Sequence, residues 1–475
     1  MPTLSKSKLI AYRQCPKRLW LELHKPEERD DSGSEAAFGI GNEVGEAACL
    51  VFDPEGVGVN VDPNRIGWSE AYAQTAEGLR AGDRPLFEAA LRTENALALA
   101  DVMLPDRSSG KLQWRMLEVK SSTSVKDYHR DDVAIQTHIV RENGVPLSQV
   151  GLVFINNRFV YGGDGDYSGL FTIEDMTEEA LARDEEVKGW MDAAQIIACS
   201  KEEVGCDMGD HCKKPYPCGF LAYCNRLHGN TEDAFGCLPG IGENSKKMDR
   251  WRECGVETLE QLPDSELNPK QLRVKTCTLE NREFFDQTQA HEQVADGSED
   301  IYFLDFETIN LAIPRWKGTR PYQKIPFQYS LHLRRPDGEL MHREFLDISG
   351  DDPRQALAEQ LVADCGSSGV IYAYNMGFEK GVIRELAELV PHLKVELMLI
   401  HDRIDDLLPI CRRYYYHPSQ QGSWSLKAVL PAMCPELNYQ DLFLIRRKSV
   451  ARFVPNCVSS ETYHPGTRCS TLACP

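Results

Sequence analysis

Positive charge is scarce in this sequence. Its 475 residues carry 53 Lys and Arg against 73 Asp and Glu, a formal net charge of −20, which excludes a surface that binds polyanions everywhere. Contact with a nucleic acid then requires a local basic patch or a bridging metal. Long apolar runs are missing as well. Nothing approaches the ~18 consecutive apolar residues of a membrane span, and the stretch from Met1 to Leu23 has Lys and Arg without the apolar core of a signal peptide. These absences predict a soluble, cytoplasmic protein without membrane contact. At this length the chain can hold two to four domains with sizeable cores.

What is present begins with Trp114 to Lys120. Trp114, Met116, Leu117 and Val119 make a strand-like apolar run that ends in Glu118-Val119-Lys120, and alternation along a strand puts Glu118 and Lys120 on one face. Asp101 stands in a second apolar run, Ala96 to Leu104, and a neighbouring strand would bring its carboxylate beside Glu118. Two hard oxygen donors on adjacent strands suit Mg²⁺ or Mn²⁺. Lys120 is placed to orient or deprotonate water and to offset charge on a phosphate.

Cysteine, by contrast, is abundant: sixteen residues. Disulfides are rare in the cytosol, so a local cluster points to metal. Cys49, Cys199, Cys254, Cys277, Cys365, Cys411 and Cys434 are scattered and read as small buried hydrophobes. Cys206, Cys212, Cys218 and Cys224 fall in one Pro- and Gly-rich segment whose spacing is not the C-x2-C knuckle of a zinc ribbon. Thiolate-only ligation suits an iron–sulfur cluster, with Cys15 as a remote fourth ligand.

The second half repeats the carboxylate logic. Ile301-Tyr-Phe-Leu-Asp305-Phe-Glu307-Thr308 is an apolar strand with two acids on one face, and Val370 to Glu379 is a buried strand that delivers Glu379 to a helix start. Pro326 to Leu333 is the expected second strand of a mixed sheet, and Asp406 follows later. Sets of acids at strand ends are what two-metal phosphoryl-transfer sites need.

The opening Leu4-Ser-Lys-Ser-Lys-Leu-Ile-Ala-Tyr-Arg-Gln-Cys-Pro-Lys-Arg-Leu-Trp-Leu, with Asp101, Glu118-Val-Lys120 and the late cysteines, resembles the RecB-like PD-(D/E)XK nucleases of the CRISPR-associated exonuclease type. The resemblance implies a [4Fe-4S] cluster on Cys15, Cys212, Cys218 and Cys224, with Cys206 as a substitute. It implies a Mg²⁺ or Mn²⁺ site of Asp101 and Glu118, and a helix residue, Gln136, that contacts a phosphate or a water. Where such nucleases place a His on a helix, this chain has Gly45, which leaves Glu46 or Glu43 for that task. Where the group carries Gln-x3-Tyr, this chain ends in Val140.

Two further resemblances follow along the chain. Phe235 to Gly242, followed by Lys246 and Lys247, is similar to a helix-hairpin-helix element, in which the backbone of Gly240 and Gly242 and the two lysines would face a nucleic-acid phosphate. Asp305-Phe-Glu307-Thr and Asn375-Met-Gly-Phe-Glu379 resemble the DnaQ-like exonucleases of ribonuclease-H fold, and residues 301 to about 440 resemble a bacterial domain of unknown function that sits behind a RecB-like nuclease. The last acidic motif of such exonucleases is absent after Leu442, where the sequence reads as a frameshifted or truncated terminus.

The expected architecture is therefore α/β: a PD-(D/E)XK restriction-endonuclease-like domain over 1–228, a helical connector over 229–297, a ribonuclease-H-like domain over 298–441 and an atypical tail over 442–475. The expected function is metal-dependent hydrolysis of DNA phosphodiesters. Its rivals are a nucleic-acid-binding scaffold with decayed sites and a zinc-stabilised hydrolase.

Overall fold

The computed structural model describes residues 2–30, 34–227, 235–241 and 245–435. The chain is mixed α/β and divides into two compact units. Met1–Thr231 with Asn310–Lys324 forms the first, and Glu232–Ile309 with Ile325–Pro475 the second. Gly242 and the tail after Leu442, for which the sequence raised expectations, lie outside the described residues.

The first unit is built on a seven-stranded sheet. Its strands are β1 (Leu4–Ser5), β2 (Val59–Asn60), β3 (Leu86–Arg92), β4 (Ala96–Asp106), β5 (Gln113–Lys120), β6 (Leu147–Ile155) and β7 (Phe171–Asp175), in the order β2-β3-β4-β5-β6-β7, with β1 on β4. β3, β4 and β5 form an antiparallel meander, whereas β6 runs parallel to β5. A parallel return needs a crossover, and the helix Asp127–Glu142 supplies it. Its Val133, Ile135, Ile139 and Val140 pack in one core with Trp114 and Met116 of β5. Leu117, on the opposite face of β5, packs with Phe87, Val102 and Val153.

Alternation along β3 and β4 slips once. Ala96, Ala98 and Ala100 share the main core but so does Met103, while Val102 lies in the opposite one; Ala89 and Leu91 share the main core but so does Leu86, while Phe87 lies opposite. Both slips flank the rung of Glu88 and Asp101, where Glu88 has φ +53°.

Val150 to Tyr161 has the apolar residues for two strands. Only β6 forms there, and the next strand waits until Phe171, because Asn156 to Gly169 turns through hydrogen-bonded loops. The acidic stretch Glu178 to Glu186 spans two helices, Thr177–Ala182 and Asp184–Cys199, the second burying Val187, Met191 and Ala194.

The segment Asn310–Lys324 is an integral part of this unit. Ala312, Ile313 and Tyr322 pack with Val44, Ala47, Ile155 and Leu170. Gly318 N donates to Tyr161 O at 2.8 Å, Tyr161 N to Thr319 O at 3.0 Å, and Arg315 pairs with Glu43 at 3.2 Å. The Tyr322 hydroxyl donates to the carbonyl of Ser121, next to Lys120.

In the second unit, β8 (Phe284–Phe285) pairs with β14 (Tyr415–Tyr416), and a five-stranded sheet has the order β11-β10-β9-β12-β13. Here β9 is Ile301–Ile309, β10 Ile325–Arg334, β11 Leu340–Leu346, β12 Val370–Ala373 and β13 Ile404–Asp406. β9, β10 and β11 are antiparallel, and β12 and β13 run parallel to β9. Tyr302, Leu304 and Phe306 alternate into a core with Tyr329, Leu331, Leu361 and Ile383.

The stretch expected as a connector shares a core with the end of this unit: Phe235, Leu238, Met248, Trp251 and Val274 pack with Tyr415, Tyr416, Trp424 and Val429. The polar stretch from Thr288 to Glu299 lies inside the second unit as well. Gly422, at φ +73°, closes this core; a Cβ there would stand 1.8 Å from the Cys237 carbonyl oxygen.

Candidate functional site

In the first unit the end of β5 and the helix after it bring charges together. Glu118 is 1 % exposed. Its Oε1 accepts from Lys120 Nζ and from Lys6 Nζ, both at 2.6 Å. Lys6 also donates to Gln136 Oε1 at 2.7 Å and pairs with Asp132 at 3.3 Å. Lys120 makes a second, short bond to Asp132. Asp101 Oδ2 accepts from the backbone N–H of Val119 at 2.7 Å, which fixes it at the edge of β5. Of the residues that the sequence singled out, Asp101, Glu118, Lys120 and Gln136 thus meet in one place.

Glu46 stands further out. It is exposed and its described surroundings include Cys49, whose thiol feels Glu88, Glu46 and Asp101. Glu43 is tied to Arg315. A Cβ on Gly45 would meet nothing within 4 Å, so the position where a helix ligand was sought is open.

Sequence reasoning assigned no role to Lys6, Asp132 and Glu88. Asp132 had a signal, since it lies one helical turn before Gln136 on the same face. Lys6 had none, because the helix Lys6–Gln14 reaches the site only through the tertiary fold. Glu88 was hidden by the slip in alternation.

Four carboxylates, Glu88, Asp101, Glu118 and Asp132, face two ammonium groups, and the imbalance is visible in their protonation. Burial, then the charge of Asp101, pushes Glu118 up to about 7. Burial also raises Asp101, against the pull of Lys6 and Lys120, and raises Glu88 with Glu118 adding to it. For Asp132 burial is overcome by Lys120 and Lys6, which hold it well below the usual range. Burial opposes the charge on Lys6 and Lys120, but Asp132 and Glu118 outweigh it and keep both protonated. Burial, with Lys120 beside it, pushes His129 down to about 4 and leaves that ring neutral.

Does this chemistry fit a divalent cation? Glu118 Oε2 and Gln136 Nε2 are buried without a hydrogen-bond partner. A buried carboxylate oxygen left unpaired is costly, and a cation beside the excess negative charge would satisfy it. The residues fit.

The cysteines gather around a second centre of this unit. Cys15, Cys206, Cys212, Cys218 and Cys224 line one small cavity with His211. Gln14 Nε2 donates to the carbonyls of His211 and Tyr216, both at 2.8 Å, and Lys17 pairs with Glu203 at 2.9 Å; these bonds bring the start of the unit to its end. Ligand atoms of Cys15, Cys206 and His211 lie within 4.8 Å of one another. Burial pushes Cys15 up to about 11 and raises Cys218 and Cys224, each with the other thiols adding to the shift. Among the described residues there is no disulfide. Buried and half-buried thiols lining one cavity without cross-links fit a metal or cluster that would take them as thiolates. His211 escaped the sequence reading because its spacing matches no ligand motif.

The second unit holds its own acids. Asp305 lies opposite Ser330 in the β9–β10 ladder, and Asp406 lies opposite Ala373 across β12–β13. Asp406 caps the helix Leu407–Tyr414, accepting from Leu408 N at 2.9 Å and Asn375 N at 2.8 Å. Glu379, in the first turn of the helix Gly377–Leu389, is 3 % exposed. Burial pushes it up to about 7, with the charges of Asp305 and Asp406 adding to the shift, and its Oε2 has no hydrogen-bond partner. Glu307 is one alternation further along β9. These residues also fit a cation.

A family model described as a domain of unknown function (DUF2779) matches residues 302–425. No curated protein matches the chain. The matched stretch contains Asp305, Glu307, Glu379 and Asp406. It also contains Asn310–Lys324, which belongs to the first unit.

The basic spot proposed for phosphate contact is partly spent. Lys246 is exposed, but Lys247 donates to the Glu266 carbonyl and lies over Trp251, 5.3 Å from the ring centre. Gly240 has φ +76° and open space beside it. Among the described residues no helix is long and apolar enough to cross a membrane.

Proposed function

We propose that the protein is a metal-dependent nuclease acting on DNA, with a PD-(D/E)XK-like site in the first unit and a ribonuclease-H-like set of acids in the second. The observation that carries this reading is the meeting of Asp101 and Glu118 from adjacent strands, with Lys120 on one Glu118 oxygen and the other oxygen buried without a hydrogen-bond partner. Mg²⁺ or Mn²⁺ held by Asp101 and Glu118 would supply Lewis-acid polarisation of a phosphate and lower the pKa of water.

The chain's own groups do the rest. Lys120, kept protonated by Asp132 and Glu118, offers positive charge to a phosphate that gains negative charge on attack. Asp132 holds that ammonium in place, and Lys6 holds the Gln136 carbonyl, which leaves the buried Gln136 Nε2 as an unspent donor inside the site. In the second unit Asp305, Glu307, Glu379 and Asp406 would act in the same way on their own cation.

The test is cleavage of labelled single- and double-stranded DNA with Mn²⁺ by wild type, Lys120→Ala and Asp305→Ala. Lys120→Ala should lower the rate about 100-fold, the scale of a lost electrostatic donor. Wild-type rates from both variants would show that any cleavage came from a contaminant.

For the cysteines we favour a [4Fe-4S] cluster on Cys15, Cys212, Cys218 and Cys224. A second reading has one observation behind it: Cys15, Cys206 and His211 are close enough together for tetrahedral zinc. Metal content and the visible spectrum of anaerobically purified protein separate the two, since only a cluster absorbs broadly in the visible.

A further inference from the structure

The rung that carries Asp101 and Glu118 holds a third acid. The pairs Phe87↔Val102 and Ala89↔Ala100 bracket Glu88 opposite Asp101, and the pair Val102↔Leu117 puts Asp101 beside Glu118. Three successive strands therefore bring Glu88, Asp101 and Glu118 to one level of the sheet. Glu88 adopts φ +53°, a conformation uncommon outside glycine and rarer still inside a strand. The charges it feels are those of Glu118, Lys6 and Asp62.

An independent observation says that something is to be bound here. Glu118 is 1 % exposed, yet its Oε2 has no partner, although two ammonium groups crowd its Oε1. The helix Ser34–Phe52 does not supply the missing group: Gly45 has no side chain, Glu43 is held by Arg315, and Glu46 is exposed.

We propose that Glu88 is the third carboxylate ligand of the cation held by Asp101 and Glu118, in place of the ligand that the helix leaves out at Gly45. The proposal rests on the nuclease reading and sharpens it. Three carboxylates from three neighbouring strands make an all-oxygen site, which selects Mg²⁺ or Mn²⁺ over softer metals. The unusual backbone at Glu88 is then retained for the ligand it places.

The experiment is titration of the metal-free full chain with Mn²⁺, followed by calorimetry and by the electron-spin signal of free Mn²⁺. Glu88→Gln should weaken binding about 10-fold or more, at least the effect of losing an outer-shell partner, with Glu46→Gln retaining wild-type affinity. Glu88→Gly guards against a folding defect, because glycine accepts this backbone without strain; it should melt no lower than wild type and still lose affinity. Wild-type Mn²⁺ affinity in both Glu88 variants, with affinity lost in Asp101→Asn, would overturn the role of Glu88 and leave the nuclease reading standing. A wild-type chain that takes up no Mn²⁺ would overturn both.

Discussion

Glu118 carries two cations on one oxygen and nothing on the other, and its acidity records the strain. Burial raises it from 4.5 to about 7, so between these values the folded chain keeps a proton that the unfolded chain has lost. The stability that this group contributes is fully present below about pH 4.5 and is lost as pH rises through about 7. In metal-free protein, the melting temperature of wild type should therefore fall relative to Glu118→Gln as pH rises from about 5 to about 8. His129, held near 4 by burial, pulls the opposite way as pH falls, but equally in both proteins. Parallel melting curves would show that Glu118 is not the residue that titrates. Much of this site was legible in the sequence. Alternation alone put Glu118 and Lys120 on one face, and the apolar run around Asp101 named its strand. Lys6 was not legible, because its distance from Glu118 is set by how the first helix docks. Glu88 was not legible either, because one residue of unusual φ reverses the alternation on which such a reading depends.

Among the elements, strands with one buried face were easy to place and connections were not. Tyr302, Leu304 and Phe306 announce β9, and Trp114 and Met116 announce β5. The stretch from Asn156 to Phe171 alternates weakly, and its turns are held by backbone bonds together with the side chains of Asn156, Tyr161 and Asp166. The expected connector failed as a separate element for a similar reason: its apolar residues find their partners in Tyr415, Trp424 and Val429, far along the chain. Gly422 tests that packing. Alanine there puts a Cβ 1.8 Å from the Cys237 carbonyl at φ +73°, so Gly422→Ala should cost about 3 kcal/mol or more. Gly240→Ala, with a similar φ of +76° but open space around it, should cost about 1 kcal/mol. Equal losses in denaturant melts of the two variants would remove the argument for a close approach at Gly422.

At the scale of the molecule, the boundary between units does not follow the sequence. The first unit needs Asn310–Lys324 to cover Val44, Ile155 and Leu170 and to receive the Tyr161 backbone bonds. A fragment of residues 1–231 should consequently melt lower than the same unit in the intact chain, and its apolar dye binding should rise. Adding a synthetic peptide of residues 310–324 should reverse both changes; identical melting with and without it would show that the segment contributes nothing. The cysteine pattern predicted that the start and end of this unit meet, and Cys15 does stand among the later thiols. The sequence gives no hint that a third piece arrives from beyond residue 300, since Ala312, Ile313 and Tyr322 form no periodic pattern.

That excursion has a consequence for descent. The matched stretch of residues 302–425 carries within it a loop that belongs to the first unit, where Ala312, Ile313 and Tyr322 pack with Val44, Ile155 and Leu170. A gene rearrangement that moved this domain alone would deliver a greasy flap with nothing to lie on. For this chain, a cut at the ends of the matched stretch would leave Ala312, Ile313 and Tyr322 without the surface they pack on.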